Sequence, residues 1–445
     1  MSDQRVNITE IIDSQKIGRF QRQIAALCSI IAALEGFNTQ SVGFIAPLMA
    51  QAFHLQPRDL TLLFSLGLVG LLLGALIIAP LADRIGRRTV LLYCVPFLGL
   101  FSLLTAFSIS VAMLDALRFL TGLAIGGALP NTIALTSEYA PRRRRAVMVA
   151  VMFSGFIIGS IIAALTAGWF AAAGWRSVFL VGGLASLAAA PLMFFGLPES
   201  VRFLTVRGAD RKQIAVLMQR LYPQLGIRDH DLFAVSEAAA SSASVRALFE
   251  AGRFKGTILL WIVQFASLFN IFLMANWLPT EMRLLGFPIA IAIFVGAALQ
   301  IGGLFGIFFG WLADRIGANT ALALAYLTGA LGVLLIPLGG ASAPLVTGAV
   351  FLAGFGILGG QTVTNAVSSI FYPTEIRSTG IGWATGIGRA GSIVGPTIAG
   401  ALLQISIPAN DVILLAVFPA LIAAAAAYSM DPIRTAFSTG EKALA

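Results

Sequence analysis

The chain has 445 residues, of which 58% are hydrophobic and only 11% charged, with a formal net charge of +9. An ordinary soluble protein has about 25% charged residues, so a string of soluble domains is excluded. Apolar runs of ~20 residues, enough to cross ~30 Å of hydrocarbon, recur along the whole length and mark an integral membrane protein.

The first 23 residues are polar and lack the short apolar core of a cleaved signal. Twelve spans are then predicted near 24–50, 59–80, 89–108, 112–138, 147–170, 177–197, 257–280, 288–311, 320–338, 344–370, 380–404 and 411–429. They are continuously apolar, whereas a membrane barrel alternates apolar and polar residues, so the spans are helices. Between the sixth and seventh spans lies the longest polar stretch, about Glu199 to Lys255. Its apolar positions Leu217, Leu221, Leu232, Phe233, Leu248 and Phe249 predict short amphipathic helices on the cytoplasmic surface. The chain thus divides into a six-helix bundle over 1–198, a cytoplasmic loop over 199–255 and a second six-helix bundle over 256–445.

With both termini in the cytoplasm, the inner segments hold 24 of the 29 lysines and arginines. Only Arg58, Arg176 and Arg283 fall outside, and Arg118 and Arg389 fall within spans. The positive-inside rule therefore places both ends of this multi-pass chain in the cytoplasm, and the cell (inner) membrane is its expected location. The basic balance is a topology signal and not a nucleic-acid footprint. Cys28 and Cys94 sit in apolar segments and His54 and His230 in loops. No disulfide framework, metal site or cofactor is expected, and no nucleophile and base pairing marks an enzyme.

The two halves repeat each other. Leu81-Ala82-Asp83-Arg84-Ile85-Gly86 recurs as Leu312-Ala313-Asp314-Arg315-Ile316-Gly317, an offset of 231. Phe119 to Arg145 aligns without gaps on Phe351 to Arg377, an offset of 232. Two six-span halves in the same orientation suggest the parallel pseudo-repeat of a rocking transporter, with its site between the halves.

On these residues the sequence resembles the major facilitator superfamily over nearly its whole length. Pro80-Leu-Ala-Asp-Arg-Ile-Gly-Arg-Arg88 is similar to that superfamily's loop between spans 2 and 3, and Pro198-Glu-Ser-Val-Arg-Phe-Leu204 to the motif after span 6. Arg118-Phe-Leu-Thr-Gly122, Ala134-Leu-Thr-Ser-Glu-Tyr-Ala-Pro141, Asn276-Trp-Leu-Pro-Thr280 and Tyr372-Pro-Thr-Glu-Ile-Arg-Ser-Thr-Gly380 resemble the aromatic acid:proton symporters. That family usually has Asp-Gly-Phe-Asp in the first span, where this chain reads Glu35-Gly36-Phe37-Asn38. The first acid is retained and the second is an amide. Glu35 with nearby Gln40 looks more like the hydroxyphenylpropionate-type members than the hydroxybenzoate-type ones.

Charges inside spans are costly and need a reason. Glu35 is the expected proton-coupling residue, because burial favours the protonated carboxyl. Asn38 is one turn on and faces the same side. Arg118 can grip a carboxylate with two parallel hydrogen bonds. Its repeat counterpart is Val350, so shared packing does not require an arginine there. Arg389 serves as a second anion contact or snorkels to the interface. Asn276, Gln300, Gln361, Asn365 and Trp383 complete the expected substrate contacts, although each amide alone also serves as glue between helices. Asp83, Arg84, Gly86, Arg87 and Arg88, with Asp314 and Arg315 in the repeat copy, form an expected cytoplasmic latch. Glu138, Arg145, Glu375 and Arg377 extend it. The expected function is secondary active import of a small organic anion, an aromatic carboxylate, with protons, by a monomer. A facilitator carrier for a sugar, an aliphatic carboxylate or an exported drug is the alternative.

Overall fold

The computed structural model describes residues 5–227, 231–234, 245–373 and 376–430. His230 and Glu375 lie outside the described residues. Hydrocarbon offers the backbone no hydrogen-bond partner, so each span must satisfy its own N–H and C=O groups as a helix. Strand β1 (Arg5–Asn7) leads into α1 (Ile8–Ser14) and the 35-residue α2 (Arg19–Phe53). Helix α3 (Pro57–Leu73) runs through a π turn at Gly74–Ile78 and a 3-10 turn at Ala79–Leu81 into α4 (Ala82–Ile85). Then come α5 (Arg87–Ala106), α6 (Val111–Glu138), α7 (Arg145–Trp169) and α8 (Arg176–Gly196). The middle segment holds α9 (Val201–Val206), α10 (Arg211–Leu221) and β2 (Leu232–Ala234). The second half follows as α11 (Phe254–Leu284), α12 (Ile289–Phe305), α13 (Ile307–Ile316), α14 (Ala318–Leu338) and α15 (Ala343–Phe371). It ends in α16 (Arg377–Gln404), α17 (Ala409–Leu414) and α18 (Val417–Ser429).

Among the described residues ten helical stretches are long and apolar enough to cross a membrane. Helices α2 and α16 are long enough, at 35 and 28 residues, but fall outside that set. The polar run Glu35 to Ser41 in α2, and the glycines, threonines and Arg389 of α16, lower their mean hydropathy.

The middle segment forms short helices, and one of them packs on the chain's N-terminal segment. Ile8 and Ile12 of α1 share one buried cluster with Ile214, Ala215, Met218 and Leu221 of α10. Strand β1 pairs in parallel with β2, Val6 opposite Phe233. Gln21 donates to the Tyr222 hydroxyl at 3.1 Å and to the Tyr139 carbonyl at 2.7 Å. Burial pushes the Tyr222 phenol up to about 12. The apolar face of α10 is thus covered by the chain's own N-terminal segment.

The chain forms two compact units. One contains 1–39, 69–162 and 176–239; the other contains 40–68, 163–175 and 240–445. The second unit therefore gathers the end of α2, the start of α3 and the end of α7 with the second half of the chain.

The sequence repeat is carried into the packing. A Cβ on Gly70 would lie 2.1 Å from the Phe119 carbonyl oxygen, and one on Gly302 would lie 2.1 Å from that of Phe351. Both members of that pair are offset by 232. Gly155 against Ser29 and Gly159 against Ala33 recur as Gly391 against Phe265 and Gly395 against Phe269. Here every offset is 236. The four-residue difference says that different helix pairs repeat with different intervening loop lengths. Gly86 (φ 98°, ψ 150°) and Gly317 (φ 92°, ψ 147°) turn the two copies of the loop alike, in a region open to few other residues.

These glycines let backbones touch. A Cβ on Gly159 would sit 1.9 Å from the Ala33 oxygen, with no flexible side chain to give way. Gly159→Val is expected to destabilise the protein by about 1–3 kcal/mol, read as a lowered thermal midpoint in detergent. Gly348→Ala, which meets open space, should leave it unchanged.

Candidate functional site

In the first unit α8 meets Asn38 of α2 and Arg118 of α6. Glu35 is fully buried on α2. Asn38, one turn on, donates to the Leu34 carbonyl at 2.8 Å and to the Ser186 hydroxyl at 3.4 Å. Gly182 lies against Phe37 and Asn38 where any side chain would collide. One turn back along α8, the Phe179 ring carries the Arg118 guanidinium, 4.5 Å from its centroid. Arg118 is buried and donates through Nη2 to the hydroxyls of Thr105 and Thr121, both at 3.0 Å. Its Nε has no acceptor, and it forms no ion pair among the described residues. Asn131 is helix glue, donating to the Gly127 and Ala79 carbonyls.

In the second unit, Gln361 donates to Gln264 and to Asn365 at 2.9 Å each, while Gln264 donates to Asn365 at 3.3 Å. This network joins α11 to α15. A second group is buried and under-satisfied. Asn270 has neither amide atom bonded, Gln300 has no acceptor for Nε2, and Gln40 has no donor for Oε1, among the described residues. Gly43 touches Ala275 and Asn276, and Gly296 touches Phe44 and Pro279. Gln40 and Gln300 each lie one turn from those contacts, so helical spacing brings the two amides to one level. Asn276 is buried on α11 beside this contact. Trp383 stacks on Trp261, with ring centroids 5.8 Å apart, two turns from the start of α16. Arg389 is half-buried near the middle of α16.

In the first copy of the loop the charges are paired. Arg87 pairs with Asp83 at 2.8 Å and reaches Glu138 at 3.3 Å. Arg88 donates to the carbonyls of Leu197 and Phe194, both at 2.7 Å. Arg84 is exposed and offers its carbonyl to Arg207. Arg145 lines a small cavity with Glu138, Asp13 and Arg202. The second copy differs. Asp314 has no ion pair among the described residues, Arg315 lies 4.0 Å over the Trp311 ring, and Arg377 donates to the Tyr372 carbonyl.

One residue, Glu199, escapes sequence reasoning about the loop. Glu199 Oε1 accepts from the Arg88 and Ser200 N–H groups, and its carbonyl accepts from the Tyr139 hydroxyl. Its carboxylate also occupies the space that a Cβ on Gly86 would need. The signal was the Pro198-Glu-Ser motif itself, which names no partner. Ser186 and Phe179 carry no signal beyond an apolar span.

The model of the Major Facilitator Superfamily matches residues 28–396 and 260–443. The chain is 39% identical to a gallate transporter of Pseudomonas putida, covering 95% of each chain. It is 36% identical to a 4-hydroxybenzoate transporter of Acinetobacter baylyi, covering 94% of this chain and 93% of that one. It is 37% identical to a 3-(3-hydroxyphenyl)propionate transporter of Escherichia coli, covering 85% and 86%. In fold it is similar to the inward-open xylose transporter of E. coli, with a TM-score of 0.71 at 16% identity over 95% of this chain and 99% of that one.

Proposed function

The chain belongs to the Major Facilitator Superfamily, and from that premise we propose that it imports an aromatic carboxylate together with protons by alternating access. The substrates in the names of the three relatives above each join a carboxylate to a hydroxylated ring, directly in two and through a two-carbon chain in the third. The observation that carries the reading is Arg118: a buried cation with a free N–H and no counter-anion among the described residues. Such a charge is costly unless an anion completes it. The unpaired amide atoms of Gln40, Asn270 and Gln300 support contacts to ring hydroxyls, since buried polar groups without partners call for a ligand or water.

The cycle runs as follows. Glu35 takes a proton from outside. The substrate carboxylate docks on Arg118, with Asn38, Asn276, Gln361, Asn365, Trp383 and Arg389 as further contacts. The halves rock, the latch around Asp83, Arg87 and Glu138 rearranges with its copy at Asp314 and Arg315, and both solutes leave to the cytoplasm. An anion entering alone is opposed by about 2.3 kcal/mol per 100 mV of membrane potential, and a co-transported proton removes that cost. The site of action is the inner membrane, with both termini cytoplasmic, and a monomer suffices.

The test uses purified protein in liposomes and labelled gallate, 4-hydroxybenzoate, 3-(3-hydroxyphenyl)propionate and an aliphatic dicarboxylate, with and without an inward pH gradient. Gradient-driven accumulation of an aromatic acid is expected. Equilibration without accumulation makes the protein a uniporter, and uptake of the dicarboxylate alone overturns the substrate class.

A further inference from the structure

Glu281 lies one residue past the apolar run that ends at Thr280, and in the sequence it reads as a loop residue. The structure carries α11 through to Leu284 and leaves Glu281 only 1% exposed. Its Oε1 accepts no hydrogen bond from any described residue. One turn back, Trp277 shares its stripe on the helix. The Trp277 indole donates to the Pro396 carbonyl at 2.9 Å and meets the Phe64 ring edge-on at 5.3 Å. Gly400 lies against both Thr61 and the Trp277 ring. Within the second unit, α3 and α16 therefore pack on this stripe, while α2 packs on the neighbouring turn through Gly43.

No packed element offers Glu281 a counter-charge. Helix α2 has none between Glu35 and its end, and His54 beyond it is exposed. On α3, Arg58 is exposed and Asp59 accepts from the Gln56 N–H. Helices α12, α15 and α18 contain no charged residue. On α16 the cations are Arg377 and Arg389, in the half of the helix nearer its start. Asp411 on α17 is exposed. On α11 itself, Lys255 is at the opposite end and Arg283 donates to the Phe287 carbonyl.

An ionised carboxylate without a partner is strongly disfavoured in such a site, whereas the neutral acid is tolerated. Covering Glu281 and protonating it are therefore linked. We propose that Glu281 is the proton-operated catch of the outer gate: the ends of α2 and α3 close over α11 only when it has taken a proton from the outer solution. It returns that proton to the same side when the gate reopens. It thus adds nothing to the proton stoichiometry, which stays with Glu35. This rests on the orientation and alternating access proposed above.

The test places a cysteine at the seam by Thr61→Cys and follows its labelling by an impermeant maleimide from outside, without substrate or gradient. The same thiol is placed in a Glu281→Gln background. The ratio of the two rates cancels the thiol's own titration, and labelling of buried Cys28 and Cys94, measured in protein that keeps Thr61, is subtracted from each rate first. That ratio is expected to lie near one at pH 5.5 and to rise at least about tenfold by pH 8.5, as a one-proton linkage allows. A ratio near one throughout overturns the proposal. If the glutamine variant fails to fold, Glu281→Ser supplies the neutral side chain instead. The gradient-driven uptake assay fails or succeeds independently of this ratio, so loss of symport and loss of the catch are told apart.

Discussion

Glu35→Gln abolishes accumulation driven by a pH gradient while counterflow exchange continues. Glutamine keeps the size and hydrogen-bonding reach of the protonated acid but cannot release a proton, so the carrier can still exchange substrate for substrate. For one proton per substrate anion the cycle is electroneutral, and each unit of pH gradient sustains about tenfold accumulation. The variant should lose all of that factor. The surroundings support the assignment. Glu35 is fully buried, its predecessor Leu34 packs on Leu71, Leu98, Ala124 and Ile125, and its successor Gly36 is pressed against the Phe156 carbonyl oxygen of α7. The backbone on both sides of the carboxyl is thus closely packed, and the carboxyl itself is withdrawn from water, where its charge state matters. Full accumulation by the variant, measured in liposomes, removes Glu35 from the mechanism. Glu281→Gln is expected to behave oppositely, keeping accumulation and losing the pH dependence of the gate.

The scaffold is legible because hydrocarbon imposes one rule on every span. Length and apolarity mark the helices, and two halves with the same loop motif announce the repeat, which reappears as Gly70 on Phe119 and Gly302 on Phe351. What is not legible arises from contacts distant in sequence. Glu281 follows an apolar run directly, so local pattern assigns it to water; yet it is buried, and α3 and α16 pack one turn back on Trp277. The pairing of Val6 with Phe233 joins two three-residue strands with no alternation long enough to read. Trp383 is visible as an aromatic within a span, but its stacking on Trp261 is a matter of how α11 and α16 cross. The latch illustrates both cases. The charges are evident in the motif, yet the choice of Glu138 as second partner for Arg87, and of Glu199 as acceptor for Arg88, depends on tertiary placement.

Arg118→Ala loses substrate binding, and Arg118→Lys recovers part of it. Removing one partner of a buried charge-assisted pair costs about 2–5 kcal/mol, which is roughly 30-fold or more in Kd. Lysine restores the charge but not the planar fork that matches a carboxylate. The geometry also defines the competing role. Arg118 bridges Thr105 of α5 and Thr121 of α6 and lies on Phe179 of α8, so it also ties three helices together. A purely structural arginine predicts a different pair of readouts: alanine lowers the thermal midpoint while the Kd of the folded fraction stays at the wild-type value. An anion clamp predicts the reverse emphasis, because two threonine hydroxyls and a ring do not neutralise a guanidinium. Losing an unneutralised charge from the bundle relieves a cost, so the midpoint should fall little or even rise without substrate, and added substrate should no longer raise it. Measuring both midpoints together with Kd for the three proteins therefore decides the role, and unchanged Kd in both variants refutes the clamp.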